Sequence, residues 1–212
     1  MHVVPGLKVL YFGTPVVLIS SLNEDGTANL APMSSAWWLG QSCMLGLGNN
    51  AQTTANLLRE GECVLNLPSS AMVDAVDRIA LTTGKQAVPD YKKEQGYRYE
   101  PEKFSAAHLT EQASDLVRAP RAAECPIQLE CKVASAHPFG GPESHATAFE
   151  VEVLRAHVAE DLVIPGTHYV DPLGWDPLIM KFCEFFGGGH NVHPSRLAEG
   201  WNMPHQLQST AT

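Results

Sequence analysis

Long apolar runs are missing from this chain of 212 residues. No window approaches the roughly 18–20 consecutive apolar residues of a membrane-spanning helix, which argues against a span. Positive charge is scarce: 14 Lys and Arg stand against 23 Asp and Glu, a formal net charge of -9. Binding to duplex nucleic acid needs clustered cations to displace counterions from phosphate. Adhesion to an anionic lipid surface needs them too, and here the basic residues are scattered. Cysteines are few and far apart. The five of them, Cys43, Cys63, Cys125, Cys131 and Cys183, are an odd number with no C-x-x-C pair. That speaks against a disulfide framework and against a structural zinc site. Core thiols in a reducing compartment are the expectation. The stretch Met1 to Lys8 lacks a cationic region followed by an apolar run, so a cytoplasmic address is expected.

Several signatures are also absent. There is no G-x-G-x-x-G, no P-loop Gly-Lys-Ser/Thr, no H-E-x-x-H and no G-x-S-x-G elbow. Gly187 to Gly189 lack the strand-turn-helix context of a phosphate loop and read as a turn. His190 and His193 have no third ligand in sequence and Pro194 beside them, so no metal is expected.

What is present is an ordinary globular composition, 44% hydrophobic and 17% charged. The first third reads as a β-meander. A β-branched run over Pro15 to Leu22 meets the turn Asn23-Glu-Asp-Gly26 and resumes from Thr27 to Ala31. Asp-Gly between two apolar runs is a hairpin signal, because Gly takes φ > 0 without steric cost. Further strands are expected over Ser34–Leu39 and Cys43–Leu47, a helix over Ala51–Glu60 capped by Asn50, Thr53 or Thr54, a strand over Cys63–Leu67 and a helix over Met72–Leu81. Residues 82–118 show little periodicity and read as an insertion or long surface excursion. Alternation returns at Pro126–Val133 and at Ala146–Leu154, continuing to Val158, across a Pro/Gly turn at Pro138–Pro142. The chain is therefore mainly β with helical excursions, a β-rich barrel. Residues 1–189 form one domain in this reading, and 190–212 an arm or tail.

The informative region runs from Thr27 to Leu67. Two polar elements each follow a strand, Asn29-Leu-Ala-Pro-Met-Ser-Ser35 and Gly48-Asn-Asn-Ala-Gln-Thr-Thr-Ala-Asn56, and the second opens a helix. Free amides at a helix N-terminus, with the macrodipole, attract an anion, and Thr hydroxyls add donors. Ordinary N-capping by Thr or Asn is the competing reading. Trp37 and Trp38 point to opposite faces of a strand, so only one of them can stack on a ligand while core or interface packing suits either. Lys85 and Lys181 are candidate cations for a phosphate, against the alternative of solvated heads.

The run Thr14-Pro-Val-Val-Leu-Ile-Ser-Ser, then Asp25-Gly-Thr-Ala-Asn-Leu-Ala-Pro-Met-Ser-Ser, Asn49-Asn-Ala-Gln-Thr-Thr-Ala-Asn-Leu57 and Cys63-Val-Leu-Asn66, resembles the flavin reductase-like family. Two later segments agree, Ala119 to Cys131 and Ser144 to Val153, so the resemblance spans roughly residues 8–185. It implies the FMN-binding split β-barrel fold. It also implies that Ala31, Pro32, Met33, Ser34, Ser35 and Ala36 line the isoalloxazine and ribityl chain. Asn49, Asn50, Thr53, Thr54 and Asn56 would then hold the ribityl hydroxyls and the phosphate. The family is generally homodimeric, with flavin near the interface. His145 matches a residue near the nicotinamide side in some members, although Glu143-Ser144 replaces their Gly-Asp; a solvated or capping histidine is the alternative.

The resemblance thus implies an FMN-binding oxidoreductase that passes hydride from NADH or NADPH to bound flavin, and on to a small-molecule or flavin acceptor. Two other readings stay open. One is a flavoprotein acting on a specific small organic substrate, with 82–118 as a lid lined by Tyr91, Tyr97 and Tyr99, although a surface covering the dimer is the favoured reading of that segment. The other is a non-catalytic FMN electron-transfer protein that docks to a redox partner.

Overall fold

The computed structural model describes residues 1–141 and 143–204. Its centre is an antiparallel sheet of seven strands. Strands β1 (Phe12–Pro15), β2 (Val17–Leu22), β3 (Ala28–Met33), β4 (Ala36–Leu39) and β5 (Ser42–Gly48) come first. Helix α1 (Gln52–Glu60) leads to β6 (Glu62–Leu67), and helix α2 is Val73–Arg78. Then come the short elements β7 (Thr82–Thr83), α3 (Asp90–Glu94), β8 (Arg98–Tyr99), α4 (Lys103–Ala107), β9 (Glu111–Gln112) and β10 (Arg121–Ala122). The long hairpin β11 (Ile127–Phe139) and β12 (Ala146–Val158) follows, then β13 (Ile179–Lys181), β14 (Glu184–Phe186) and α5 (Arg196–Gly200).

The large sheet runs β3-β2-β6-β11-β12-β5-β4. Its two edges, β3 and β4, are consecutive in sequence, with Ser34 and Ser35 alone between them. The three Cα steps from Met33 to Ala36 reach at most about 11 Å. The sheet must therefore curl until its edges nearly meet, and because β3 and β4 do not pair, the barrel stays split along that seam. This is the expected split β-barrel, and the seam falls on residues 31–36.

Hydrophobic patterning explains the layers. On β2, Val17 and Ile19 face the barrel interior with Leu45, Leu65, Leu129 and Phe149. Val16 and Leu18 face outward, yet are buried beneath Val76 and Ile79 of the α2 region and Phe104 and Ala107 of α4. A strand covered on both faces reads as a continuous apolar run, as Val16 to Ile19 does. The β2–β3 hairpin forms as expected: Gly26 takes φ 82°, and Asn23 N donates to Thr27 O at 2.8 Å.

Several expectations need correction. Residues 82–118 are not a surface excursion, because Phe104, Ala107, Leu109 and Val117 are buried. Periodicity is weak there because the later part is fastened by polar side chains of the sheet to its backbone. Fully buried Glu130 accepts from Asp115 N (2.9 Å), Leu116 N (2.6 Å) and Val117 N (3.2 Å). Asn66 Oδ1 accepts from Ala122 N at 2.8 Å, and Ser20 Oγ donates to Pro120 O. The helix expected over Met72–Leu81 is shorter, a 3-10 turn at Ser70–Met72 followed by α2. Strand β11 extends through Pro138 and Phe139, so the turn begins at Gly140. Pro142 of that turn and 205–212 of the expected tail lie outside the described residues, while 196–200 form α5. Four cysteines are buried as expected, but Cys183 is exposed. No helix among the described residues is long and apolar enough to cross a membrane.

Candidate functional site

The polar turn after β5 does not cap α1 as expected. The N-cap residue is Ala51, with no side-chain hydrogen bond. Thr54 instead donates its hydroxyl back to Gly48 O at 2.8 Å. Thr53 Oγ1 accepts from Asn29 Nδ2 at 3.1 Å. Asn56 is fully buried. Its Nδ2 donates to Ser21 Oγ and Asn23 Oδ1, both at 3.0 Å, and its Oδ1 accepts from Gln52 Nε2 at 2.9 Å. Its polar atoms are thus occupied within the protein. Among the described residues the backbone N–H groups of Gln52, Thr53 and Thr54 find no acceptor, as the first turn of a helix requires without a cap.

A cavity of about 140 Å³ opens on this turn. Of the sequence-predicted residues it brings together Ala31, Pro32 and Met33 from β3 and Thr53 from α1. The opposite wall comes from the segment that sequence patterning left as an excursion: Thr82, Thr83, Gly84, Lys92, Tyr97 and Lys103. None of these six was singled out as a cofactor ligand, although Tyr97 was placed on a lid. Gly84 has a steric reason to lack a side chain, since a Cβ there would lie 2.6 Å from Asn29 Oδ1 and 3.1 Å from Gln52 Cγ.

The remaining predicted residues do not line the cavity. Ser34 is half-buried and Ser35 exposed on the seam, and Ala36 is buried in the barrel core. Asn49 and Asn50 are exposed. Asn49 N donates to His145 O at 2.7 Å and its Oδ1 accepts from Thr147 Oγ1 at 2.7 Å, which holds exposed His145 beside the turn that opens α1. Trp37 points outward, 57% exposed, and Trp38 packs against the core, so the two do take opposite faces. Lys181 lies over the Phe186 ring on the small β1-β13-β14 sheet.

The electrostatics single out this cavity. Lys103 is only 3% exposed and makes no ion pair among the described residues. Burial, with the neighbouring charge of Lys92 behind it, pushes its ammonium down to about 8. Burial and then Lys85 lower Lys92 as well, whose Nζ sits 5.3 Å from the Tyr97 ring centroid. Two cations and free helix-terminal amides meet here with no acid among the cavity's described lining residues, and Glu100 offsets the Lys103 charge only in part. Buried charge is costly unless paired, so the chemistry of this donor set fits a phosphate. Asn29 Oδ1, buried with no donor among the described residues, lies against Gly84 at the wall.

A larger cavity of about 590 Å³, lined by Arg121, Gln128, His157 and Trp175, lies by the other end of β12. Its size is that of a ligand pocket, but Arg121, Gln128 and His157 of its lining are engaged within the protein. Gln128 bonds Arg121 and the carbonyls of Ala122 and Cys125, and His157 Nε2 lies 2.6 Å from Glu130 Oε1. Asp115, Glu130 and His157 converge, but Arg155 pairs with Asp115 at 2.7 Å and backbone N–H groups fill Glu130. The cluster works as a latch on the strap around residues 115–117.

With this geometry in view, likeness to known proteins can be placed. The Flavin reductase like domain family matches residues 9–181. The uncharacterized protein YdfE of Bacillus subtilis is 40% identical over 185 residues, 87% of this chain and 88% of that protein. Flavoredoxin of Desulfovibrio vulgaris (Miyazaki F) superposes with a TM-score of 0.75 at 21% identity, over 94% of this chain and 100% of that one. Nitrilotriacetate monooxygenase component B from Bacillus cereus does so at 0.72 and 21%, over 92% and 98%. At such identities the two structural likenesses speak to the fold. The family match covers both walls of the cavity and the seam beside it, and the chain belongs to the flavin reductase-like domain family.

Proposed function

We propose that this chain binds FMN and is an NAD(P)H-dependent flavin oxidoreductase of the cytoplasm. The observation that carries the reading is the lysine pair Lys92 and Lys103, which line one cavity beside β3 together with Gln52 and Thr53, whose backbone amides have no acceptor among the described residues. A phosphate monoester supplies the missing counter-charge, and a charge-assisted hydrogen bond to it is shorter and stronger than a neutral one. Thr82 and Thr83 add hydroxyl donors within the same walls.

The volume of about 140 Å³ suits a phosphate and the start of a polyol, not a whole flavin. Ser34 and Ser35 on the seam, with Asn49 and His145, are the residues that would receive the ring system outside the cavity. Bound flavin supplies the hydride chemistry. The chain's part is to fix the phosphate end and leave the seam open to a nicotinamide donor and then to an acceptor, a small molecule or a free flavin.

A second copy of the chain covers that seam in this proposal. Trp37 and Leu39 project from β4 directly after it, 57% and 77% exposed. Phe12 and Phe182 form an exposed edge-to-face pair with ring centroids 5.2 Å apart. Sedimentation of the wild type as a dimer, and of Trp37→Lys with Leu39→Lys as a monomer, supports this; an unchanged mass for the pair of substitutions refutes it.

The decisive test is optical. The protein is reconstituted with FMN, desalted, and its spectrum followed anaerobically on adding NADH and then NADPH. Bleaching of retained flavin is expected. Retained flavin that neither nucleotide bleaches would turn the reading into an electron carrier docking to a redox partner.

A further inference from the structure

The cavity of about 590 Å³ shares no lining residue with the one beside β3, and direct contacts join its walls. Arg121 of β10 donates Nη1 to Gln128 Oε1 at 2.9 Å. Gln128 on β11 stands opposite His157 on β12. Two residues beyond His157, Ala159 N donates to Pro126 O at 2.8 Å, which fixes the start of the 3-10 turn Glu160–Leu162. Leu162 O accepts from Asp171 N at 2.8 Å, and Asp171 O accepts from Trp175 N at 3.0 Å. The loop that bears Trp175 is thereby tied to the turn that bears Asp161.

The charges on these walls do not cancel. Arg121 is half-buried and makes no ion pair among the described residues. Its Nε and Nη2 donate to Ala113 O and its Nη1 to Gln128 Oε1, all neutral acceptors. A guanidinium has five N–H donors, so two are left, with the whole positive charge. Three carboxylates line the same cavity. Glu124 has both oxygens on Thr110 N at 3.0 Å. Asp176 accepts from Ser70 Oγ, and from Gly188 N at 2.8 Å. Asp161 is exposed and makes no ion pair among the described residues. Apolar surface comes from Trp175, Leu162, Val158 and Pro126.

A guanidinium and a carboxylate thus line one cavity without meeting. A ligand of one sign would compensate one of them and leave the other, whereas a ligand carrying both signs compensates both. The planar fork of Arg matches a carboxylate, and an aromatic wall suits an apolar body. We propose that this cavity binds a small zwitterion with an apolar body, an amino acid in class. Its carboxylate lies on Arg121, its ammonium on Asp161 and its side chain against Trp175 and Leu162. The inference is independent of the flavin reading, because the two cavities have no residue in common.

The test is calorimetric titration of the full chain with three probes on one carbon frame. They are L-phenylalanine, 3-phenylpropionate, which lacks the ammonium, and 2-phenylethylamine, which lacks the carboxylate. L-phenylalanine is expected to bind at least about fivefold more tightly than either of the others, the size of one exposed ion pair. Asp161→Asn is expected to weaken L-phenylalanine about fivefold and to leave 3-phenylpropionate within about twofold. Arg121→Gln is expected to weaken L-phenylalanine and spare 2-phenylethylamine. Arg121 also holds Ala113 O, so the Asp161 variant decides the matter should Arg121→Gln fail to fold. Binding of 3-phenylpropionate or 2-phenylethylamine as tight as that of L-phenylalanine overturns the inference. So does an Asp161→Asn protein that binds all three as the wild type does, or a wild type that binds none of them.

Discussion

Asn29 Nδ2 donates to Thr53 Oγ1 at 3.1 Å, joining β3 to the first turn of α1 at the cavity wall. The same amide leaves its carbonyl oxygen buried without a donor among the described residues, pressed against Gly84. Three segments far apart in sequence thus meet at one side chain. This contact makes the cavity sensitive to the smallest change at Gly84.

Gly84→Ala tests that dependence. The added Cβ would lie 2.6 Å from Asn29 Oδ1 and 3.2 Å from Gln52 Cβ, so β3, α1 or the strand β7 must yield. Such overpacking costs about 1–3 kcal/mol. Urea denaturation is expected to show that loss, together with weaker FMN binding. Adding Asn29→Ala should recover part of the stability, a non-additivity that only direct contact produces.

Lys103→Met removes the buried cation while keeping an unbranched chain. FMN affinity is expected to fall about 100-fold, some 2–3 kcal/mol, the range of a hydrogen bond to a charged group. Riboflavin, lacking the phosphate, is expected to bind both proteins alike. The flavin-free variant is expected to be more stable than wild type, because an unpaired buried ammonium is gone. Equal losses for both flavins would place Lys103 outside the phosphate site.

Proton linkage gives an independent check on the same residue. The Lys103 ammonium stands at about 8 in the fold against 10.5 in the free side chain. Below 8 both states are protonated, and the fold carries the whole burdened charge. Between 8 and 10.5 the unfolded chain holds more protons, so the stability of the flavin-free protein rises with pH across that window. A bound phosphate favours the charged form. FMN binding near pH 8 is therefore expected to take up protons, read as a dependence of the calorimetric enthalpy on buffer ionisation. Lys103→Met should abolish that uptake.

Glu130 predicts the acid limb. Burial alone would raise its carboxyl, but three backbone N–H groups and His157 together hold it below the usual range. Its contribution is present above the ordinary glutamate range and is lost as pH falls through the depressed folded value. Glu130→Gln is expected to cost about 3 kcal/mol at neutral pH, as breaking a buried charged pair does. Its stability should also change less between pH 7 and acid than that of the wild type. Faster proteolysis between residues 111 and 125 would locate the damage at the strap.

Local signals carried the barrel. The apolar run Val16 to Ile19, the Asp25-Gly26 turn and the alternation of Ile127, Leu129, Cys131 and Val133 are one-dimensional records of strands and hairpins, because side-chain direction repeats every two residues. It was the family resemblance, not these signals, that implied Ala31, Pro32, Met33 and Thr53 as flavin-binding residues, and the fold brings those four to one cavity. What those signals could not carry is which polar groups are free. Thr54 and Asn56 read as ligands, yet their side chains bond Gly48, Ser21 and Asn23. No sequence signal marks Lys92 or Lys103, and folding carries them, 39 and 50 residues beyond Thr53, to the wall of the same cavity. Hydrophobic periodicity is a property of neighbours along the chain and survives in the sequence. The charge balance of a cavity is a sum over groups that only the curled sheet and its strap bring together, so the tertiary structure alone decided it.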